Sequence, residues 1–139
     1  MQRISDMMTR DPLTVGEGAP VIEAARMMRD ANIGDVLVTR SDGSVCGIVT
    51  DRDLALDVIA EGNHPDTTKV EDVCNHMLES VASSDPVDRA IDIMREHAIR
   101  RLPVVDDGEL VGIVSLGDLA MERDPGSALA DISQAPPNN

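Results

Sequence analysis

Apolar residues recur at helical spacing in two stretches of the chain, residues 21–31 and 87–97, and the second begins 66 positions after the first. Such spacing predicts an amphipathic helix with one face toward a core. Pro-Val opens both stretches, and proline suits the first turn of a helix because its missing N–H has no helical partner there. The apolar positions are Val21, Ala24, Ala25 and Met28 in the first stretch, and Val87, Ala90, Ile91 and Met94 in the second.

Each predicted helix is followed by a short apolar strand, a turn with Asp-Gly, and a second apolar strand. Asp42-Gly43 and Asp107-Gly108 lie in these turns, and Asp-Gly between apolar runs is a strong hairpin signal. The first copy has one extra residue near Arg40, since the offset between the copies falls from 66 to 65. The predicted strands are residues 36–38 and 45–50, and residues 102–105 and 110–115.

The second strand of each hairpin runs into the same eight-residue unit. Residues 47–54, Gly-Ile-Val-Thr-Asp-Arg-Asp-Leu, return as residues 112–119, Gly-Ile-Val-Ser-Leu-Gly-Asp-Leu. Each copy predicts a buried strand ending in a hydroxyl residue, with a carboxylate three residues later. Closing helices are expected over Thr50–Ala60 and Ser115–Met121. The duplication predicts two related sites, one around each hydroxyl–carboxylate pair.

The repeats set the expected domain organisation, which has four parts. We expect the first repeat with its N-terminal segment over residues 1–62, a polar linker over 63–72, the second repeat over 73–123, and a disordered tail over 124–139.

Neither copy can bury both faces of its hairpin alone, so the two copies are expected to pack together. The predicted fold class is α/β (α+β), with tandem pseudo-two-fold repeats that are each a small αβ unit with a β-hairpin and flanking helices. Between the repeats, Val70–Met77 is expected to form a short helix leading to a strand near Val81.

Composition excludes several classes of protein. A chain of 139 residues buries about 68–70% of the surface that its unfolded form exposes, so no disulfide or metal is needed for stability. The net charge of −14 argues against nucleic acid and anionic membrane surfaces as partners. No apolar run resembles a signal peptide or a membrane span, and a cytoplasmic location is predicted. The chain has no Phe, Tyr or Trp, so a planar ligand must lie against aliphatic groups.

Five motifs in order, with the internal duplication, resemble a CBS-domain pair (a Bateman module) over roughly Ile4 to Met121. The resemblance implies binding of adenosine-containing ligands in clefts between two repeats, regulatory sensing, and dimers of such pairs. The motifs are Met8-Thr9-Arg10-Asp11-Pro12, Ile33-Gly34-Asp35-Val36, residues 47–54, Arg100-Arg101-Leu102-Pro103-Val104-Val105-Asp106, and residues 112–119.

Two roles are open for the hydroxyl–carboxylate pairs. In the family pattern Gly-h-h-[Ser/Thr]-x-x-Asp, where h is apolar, the resemblance assigns the carboxylate to the ribose hydroxyls and the Ser/Thr to ribose or phosphate. A carboxylate can accept from both vicinal hydroxyls, and a helix start attracts phosphate. Thr50-x-x-Asp53 and Ser115-x-x-Asp118 also resemble a capping box, with Asp in place of Glu or Gln. Both roles can coexist, because a cap uses only some of the lone pairs.

The resemblance combines the Asp motif of one repeat with the strand entry of the other in each cleft. We predict phosphate binding in the first cleft because it gathers guanidinium groups. The second cleft is expected to be weaker, empty or nucleoside-selective, because Asp35 lies where phosphate charge would fall. A solvated pair is the alternative for Arg100 and Arg101. The first cleft comprises Thr50, Arg52, Asp53, Val81, Ile99, Arg100, Arg101 and Pro103, and the second Ile33, Gly34, Asp35, Ser115 and Asp118.

The predicted function is a non-catalytic sensor of AMP, ADP or ATP that signals occupancy to an unknown protein partner. No cofactor is required, and no catalytic residue is assigned, because neither hydroxyl has an activating base nearby in sequence and no Walker A or Gly-x-Ser-x-Gly motif is present. A ligand-free dimeric assembly protein is the alternative. A homodimer is expected, with the closing helices contributing Leu54, Leu56, Val58, Ile59 and Leu119 to its surface.

The cysteines and histidines suggest little metal chemistry. Cys74 and His76, with His64 nearby, are candidate zinc ligands, but the chain has no Cys-x-x-Cys pair, and no metal site is predicted. Cys46 lies in an apolar strand and is expected to be inert packing.

Overall fold

The computed structural model describes residues 2–76 and 79–123, which form two compact units. The first unit comprises residues 12–76, and the second comprises residues 2–11 together with residues 79–123. Each has helices packed on a small sheet, and the predicted mixed α and β class is confirmed. The predicted tail, residues 124–139, lies outside the described residues.

The two amphipathic helices form where the apolar spacing predicted them, and we label them α1 (Val21–Ala31) and α3 (Val87–His97). Both end at a residue in the left-handed conformation, Asn32 (φ 55°) and Ala98 (φ 54°), whose N–H donates to the carbonyl four residues before it. The core-facing residues are Val21, Ala24 and Met28 in α1, and Val87, Ala90 and Met94 in α3.

Both predicted hairpins are present. The first pairs β3 (Asp35–Thr39) with β4 (Val45–Thr50), and the second pairs β6 (Arg101–Asp106) with β7 (Glu109–Ser115). The pairing register shifts after the fourth residue of the hairpin in both cases, at Val38/Thr39 and at Val104/Val105. The duplication is therefore conserved in the structure down to its bulges.

The loops of the two hairpins differ by the extra residue that the offset indicated. The second turn consists of Asp107 (φ 50°) and Gly108 (φ 81°), two positive φ values as in the tight turns that join β-hairpins. In the longer first loop, Gly43 alone has a positive φ (88°), and the Arg40 N–H donates to the Ser44 carbonyl at 2.8 Å.

Short strands complete each sheet. The sheet of the first unit has the order β2 (Thr14–Gly16), β3, β4, β5 (Asn75–His76), with β2 parallel to β3. The sheet of the second unit has the order β1 (Thr9–Arg10), β7, β6. Val81 forms a parallel bridge with Val104, equivalent to the pairing of β2 with β3.

The N-terminal segment belongs to the second unit. Strand β1 pairs with β7, whereas the equivalent β5 pairs with β4 in the first unit. A single 3-10 turn precedes each of these strands, over Ile4–Asp6 and Val70–Asp72. The prediction of a helix over Val70–Met77 is therefore wrong, because this stretch supplies an edge strand to the sheet after one turn.

Glycine allows each edge strand to approach its neighbour. A Cβ on Gly47 would lie 2.2 Å from the Asn75 carbonyl oxygen, and a Cβ on Gly112 would lie 2.8 Å from the Thr9 carbonyl oxygen. Any side chain at these two positions would therefore push the edge strand away.

The closing helices start where predicted but bury more than expected. Helix α2 (Asp51–Leu54) continues as a π-helical turn over Ala55–Ile59, and α4 spans Leu116–Arg123. Val58 and Leu119 are buried in the two cores, so their assignment to a dimer surface is wrong. Leu54 is half-buried against the first core, so only part of its side chain is available for such a surface. Leu56 and Ile59 are exposed, at 46% and 76%. No helix among the described residues is long and apolar enough to cross a membrane.

Candidate functional site

The first hydroxyl–carboxylate pair forms a complete capping box. The Asp53 N–H donates to Thr50 Oγ1 at 3.1 Å, and the Thr50 N–H donates to Asp53 Oδ2 at 2.9 Å. Thr50 has extended backbone angles, as N-cap residues normally do. The capping interpretation is confirmed for the first copy.

The second pair makes the same two bonds. The Asp118 N–H donates to Ser115 Oγ at 3.1 Å, and the Ser115 N–H donates to Asp118 Oδ2 at 3.0 Å. Both aspartates are half-buried, so each carboxylate is held in one orientation at the start of its helix.

Capping does not exhaust either carboxylate. All the bonds that the described residues make to Asp53 and Asp118 fall on Oδ2, including one from Asn75 Nδ2 to Asp53 at 2.9 Å. Each Oδ1 therefore retains both lone pairs for a donor from outside the described residues. A ribose diol is a donor of that kind, so capping and ligand binding are chemically compatible.

In the second unit, the start of β6 lies beside the second capping box. The Leu116 N–H donates to the Arg100 carbonyl at 2.8 Å, and Arg101 pairs directly with Ser115. Arg100 and Arg101 are both exposed. Two guanidinium-bearing residues thus flank a helix start that carries a single carboxylate, Asp118, and this combination favours an anion.

In the first unit, Gly34 takes the position of Arg100, and Asp35, of opposite charge, takes the position of Arg101. The Asp51 N–H donates to the Gly34 carbonyl at 3.0 Å, and Asp35 pairs directly with Thr50. With Asp53, three carboxylates therefore belong to this helix start and its flanking strand. The three carboxylates outnumber the one guanidinium of this turn, that of Arg52, so a phosphate is disfavoured there, whereas neutral sugar hydroxyls are not.

Sequence reasoning missed this grouping within each unit. It joined Arg100 and Arg101 with Asp53, a pairing between the two units that stays a prediction. The register of the hairpin could have indicated this grouping. Counting back along both strands from the Asp107-Gly108 turn, with one residue allowed for the bulge, places Arg101 opposite Ser115.

The other predicted site residues are distributed over both units. Val81 and Pro103 are buried in the second unit, where the Val81 N–H donates to the Pro103 carbonyl at 3.1 Å. Ile99 is half-buried against the same core. Ile33 and Arg52 are exposed in the first unit.

A second group of reactive side chains lies in the first unit, at the junction of β4 and β5. Cys46 is buried in β4, Cys74 is half-buried just before β5, and His76 is exposed in β5. One ligand atom from each residue lies within 4.8 Å of the others. We call this group the sulfur–imidazole cluster. Sequence reasoning named Cys74 and His76 but grouped them with His64 instead of Cys46.

Both thiols of the sulfur–imidazole cluster hold their protons firmly. Burial, followed by the neighbouring Cys46, raises the pKa of the Cys74 thiol to about 11. Burial also raises the pKa of Cys46, although its hydrogen bond with Cys74 opposes the increase. Without a bound cation, both groups are therefore neutral near pH 7, and neither is an activated nucleophile.

Comparison with known proteins gives two matches to the family model described as CBS domain, over residues 4–59 and 70–124. These ranges contain all five motifs noted in the sequence. Protein YlbB of Bacillus subtilis is 41% identical over 139 residues, which cover 96% of this chain and 93% of YlbB.

Two solved structures match most of the chain. The CBS domain protein PAE2072 from Pyrobaculum aerophilum, complexed with AMP, is 31% identical with a TM-score of 0.77, over 96% of this chain and 100% of that one. Hypoxic Response Protein I, solved with two coordinated zinc ions, is 30% identical with a TM-score of 0.77, over 86% of this chain and 97% of that one.

Proposed function

We propose that this chain, which belongs to the CBS-domain family, is a regulatory module that binds an adenine nucleotide, AMP, ADP or ATP. The observation that carries the proposal is the pair of capping boxes that fix Asp53 and Asp118 while leaving one carboxylate oxygen of each available. The AMP complex of the similar PAE2072 protein supports an adenosine ligand.

The phosphate is assigned to the second unit. Arg100 and Arg101 lie beside Ser115 in the same hairpin, so Asp118 would hold the ribose while the guanidinium groups neutralise the phosphate. The chain has no aromatic residue on which an adenine ring could stack. Aliphatic residues such as Val81 and Pro103 would therefore form the apolar surface beside the ring. This assignment differs from the sequence-based one, which shared the arginines with Asp53.

The first unit is assigned a ligand without a phosphate, or weaker binding. Asp35 and Asp51 accompany Asp53 there, and their charges repel an anion at short range. Gly34 offers close backbone approach to a base, and it lies exposed at the start of the strand. A nucleoside fits that environment better than AMP.

The experiment compares AMP binding to Asp118→Asn and Asp53→Asn by titration calorimetry. Asparagine keeps an acceptor for the cap but removes the charge that holds a diol, so both variants should fold. We expect Asp118→Asn to weaken AMP binding by about tenfold or more, and Asp53→Asn to change it by less than about twofold. The reverse pattern would restore the pairing of Asp53 with the arginines.

The general proposal has a separate test in thermal stability. A nucleotide that binds only the folded state raises the melting temperature with its concentration. No shift with millimolar AMP, ADP or ATP would reject the nucleotide function and favour the ligand-free assembly protein.

We also propose that the module performs no catalytic step, lies in the cytoplasm, and has a protein partner that reads the ligand-dependent state. A switch requires that the ligand bind two states with different affinities. A homodimer is expected, and the exposed Leu56 and Ile59 are its remaining candidates on the first closing helix. Light scattering on Ile59→Asp tests that surface, with a shift toward monomer expected.

A further inference from the structure

The sulfur–imidazole cluster is not used by the proposed nucleotide function. We propose that Cys46, Cys74 and His76 bind one divalent metal ion of the zinc class in the first unit. Three protein ligands hold the ion, and its fourth position is left to water or to a small ligand from solution.

The distances fit a site that closes around an ion. The three ligand atoms lie within 4.8 Å of one another. Tetrahedral zinc, with bonds of about 2.3 Å to sulfur and 2.0–2.1 Å to nitrogen, holds its ligand atoms about 3.5–3.8 Å apart. A contraction of up to about 1 Å between ligand atoms is therefore enough to close the site around the ion.

The ligand types select the ion. Two thiolates and one imidazole are soft to borderline donors, which favour Zn²⁺ over Mg²⁺ or Ca²⁺. The ion displaces one proton from each thiol, so the two thiolates balance its double charge and two protons are released. His76 is exposed while Cys46 is buried, so the open position faces solvent.

The second unit shows that the fold does not require these residues. The equivalents of β4 and β5 are β7 and β1, with Gly47 paired to His76 just as Gly112 is paired to Arg10. By this register, Val111, Met8 and Arg10 occupy the positions of Cys46, Cys74 and His76. All three ligands are present in one copy and none in the other, although either set completes the same sheet.

The surrounding contacts hold the ligands in place before an ion arrives. Gly47 lets β5 approach β4 closely, since a Cβ there would meet the Asn75 carbonyl oxygen. Asn75, which lies between Cys74 and His76 in the chain, is anchored by its hydrogen bond to Asp53. Second contacts of this kind orient metal ligands and limit the reorganisation on binding.

The experiment is a titration of the reduced, chelator-treated full chain with Co²⁺, followed by displacement with Zn²⁺. We expect one ion per chain, with the near-ultraviolet sulfur-to-metal absorption and the intense visible bands of a tetrahedral thiolate site. Zinc should also raise the melting temperature. The test variants are Cys46→Val, Cys74→Met and His76→Arg, which carry the residues that the second unit accommodates at these positions.

Each variant is expected to weaken zinc binding by about 100-fold, and the triple variant should lose the sulfur-to-metal absorption. His64→Gln is the matched control, because His64 lies outside the cluster and binds only within its own turn, and it should bind as the unaltered protein does. No thiolate absorption in the reduced protein, or unchanged absorption in the triple variant, would overturn the proposal. AMP binding is measured in parallel, so failure of the metal site is distinguishable from failure of the nucleotide function.

Discussion

In the first unit, the junction of the central and edge strands holds two thiols and an imidazole, whereas the second unit has Val111, Met8 and Arg10 there. At the start of the closing helix the contrast is one of charge, with Asp35 in the first unit and Arg101 in the second. The amphipathic helices, the capping boxes and the positions of the hairpin bulges are otherwise equivalent, although the first hairpin loop is one residue longer and the closing helices differ. Residues at the positions that form the fold are therefore alike in the two units, whereas residues at the positions that line the candidate sites differ.

The largest expected difference in stability between the two units comes from substituting the glycine that faces each edge strand. Gly47→Ala places a methyl group against the Asn75 backbone, which cannot move without loss of β5 pairing. Gly112→Ala meets the Met8 side chain as well as the Thr9 carbonyl, both at 2.8 Å, so less movement is needed. We expect the free energy of unfolding, measured in urea, to fall by about 3 kcal/mol for Gly47→Ala and by about 1–2 kcal/mol for Gly112→Ala. Equal losses would contradict the difference between the two junctions.

The capping boxes make the same hydrogen bonds in both units, so the loss of either cap should lower stability by a similar amount. Thr50→Ala and Ser115→Ala each remove one acceptor from the first turn of a closing helix. We expect each to lower the free energy of unfolding by about 1 kcal/mol. Glu61→Ala, an exposed change beyond the first closing helix, is the control and should have almost no effect. A loss confined to one unit would show that the other cap does not support its helix.

Low pH should reduce the stability of the second unit through a side-chain contact that the first unit lacks. The Ser83 hydroxyl, with the Ser83 N–H, holds the pKa of Asp106 below its ordinary value. A lowered pKa adds stability above the ordinary carboxyl pKa, and this contribution is lost as the pH falls through the folded-state value. The position equivalent to Asp106 is Arg40 in the first unit, which cannot accept such bonds.

We expect Asp106→Asn to reduce the dependence of stability on pH below about pH 5. Unfolding curves across that range provide the measurement, with Asp107→Asn as the neighbouring control. If both variants lost stability in parallel with the unaltered chain, the Ser83 contact would make no pH-dependent contribution.

Most of the local structure could be predicted from the sequence because its signals are local. The spacing of Val21 and Met28, the Asp-Gly turns, and the hydroxyl at each helix start depend only on neighbouring residues. The segment before β1 could not be placed, because pairing of Thr9 with Ile113 joins distant parts of the chain and leaves no local trace. The repeat offset of 66 could have indicated it, since Ile4–Arg10 aligns with Val70–His76.

The site was predicted in part for the same reason. The capping boxes followed from sequence spacing, and the structure confirmed their bonds. The grouping of Arg101 with Ser115 depended on strand register, and that of Cys46 with His76 depended on which strand joins the sheet edge. Both are consequences of pairing, which periodicity along one strand does not report.

The pairing of the N-terminal segment with β7 also delays the completion of the second sheet during synthesis on the ribosome. Thr9 leaves the ribosome long before Ile113, its partner, and at typical elongation rates the 104 intervening steps take about 5–20 s. During that interval the first unit acquires all of its strands, while Ile4 and Met8 have no sheet to join. Nascent chains of this protein therefore display a short apolar segment that chaperones can hold until the last hairpin is made.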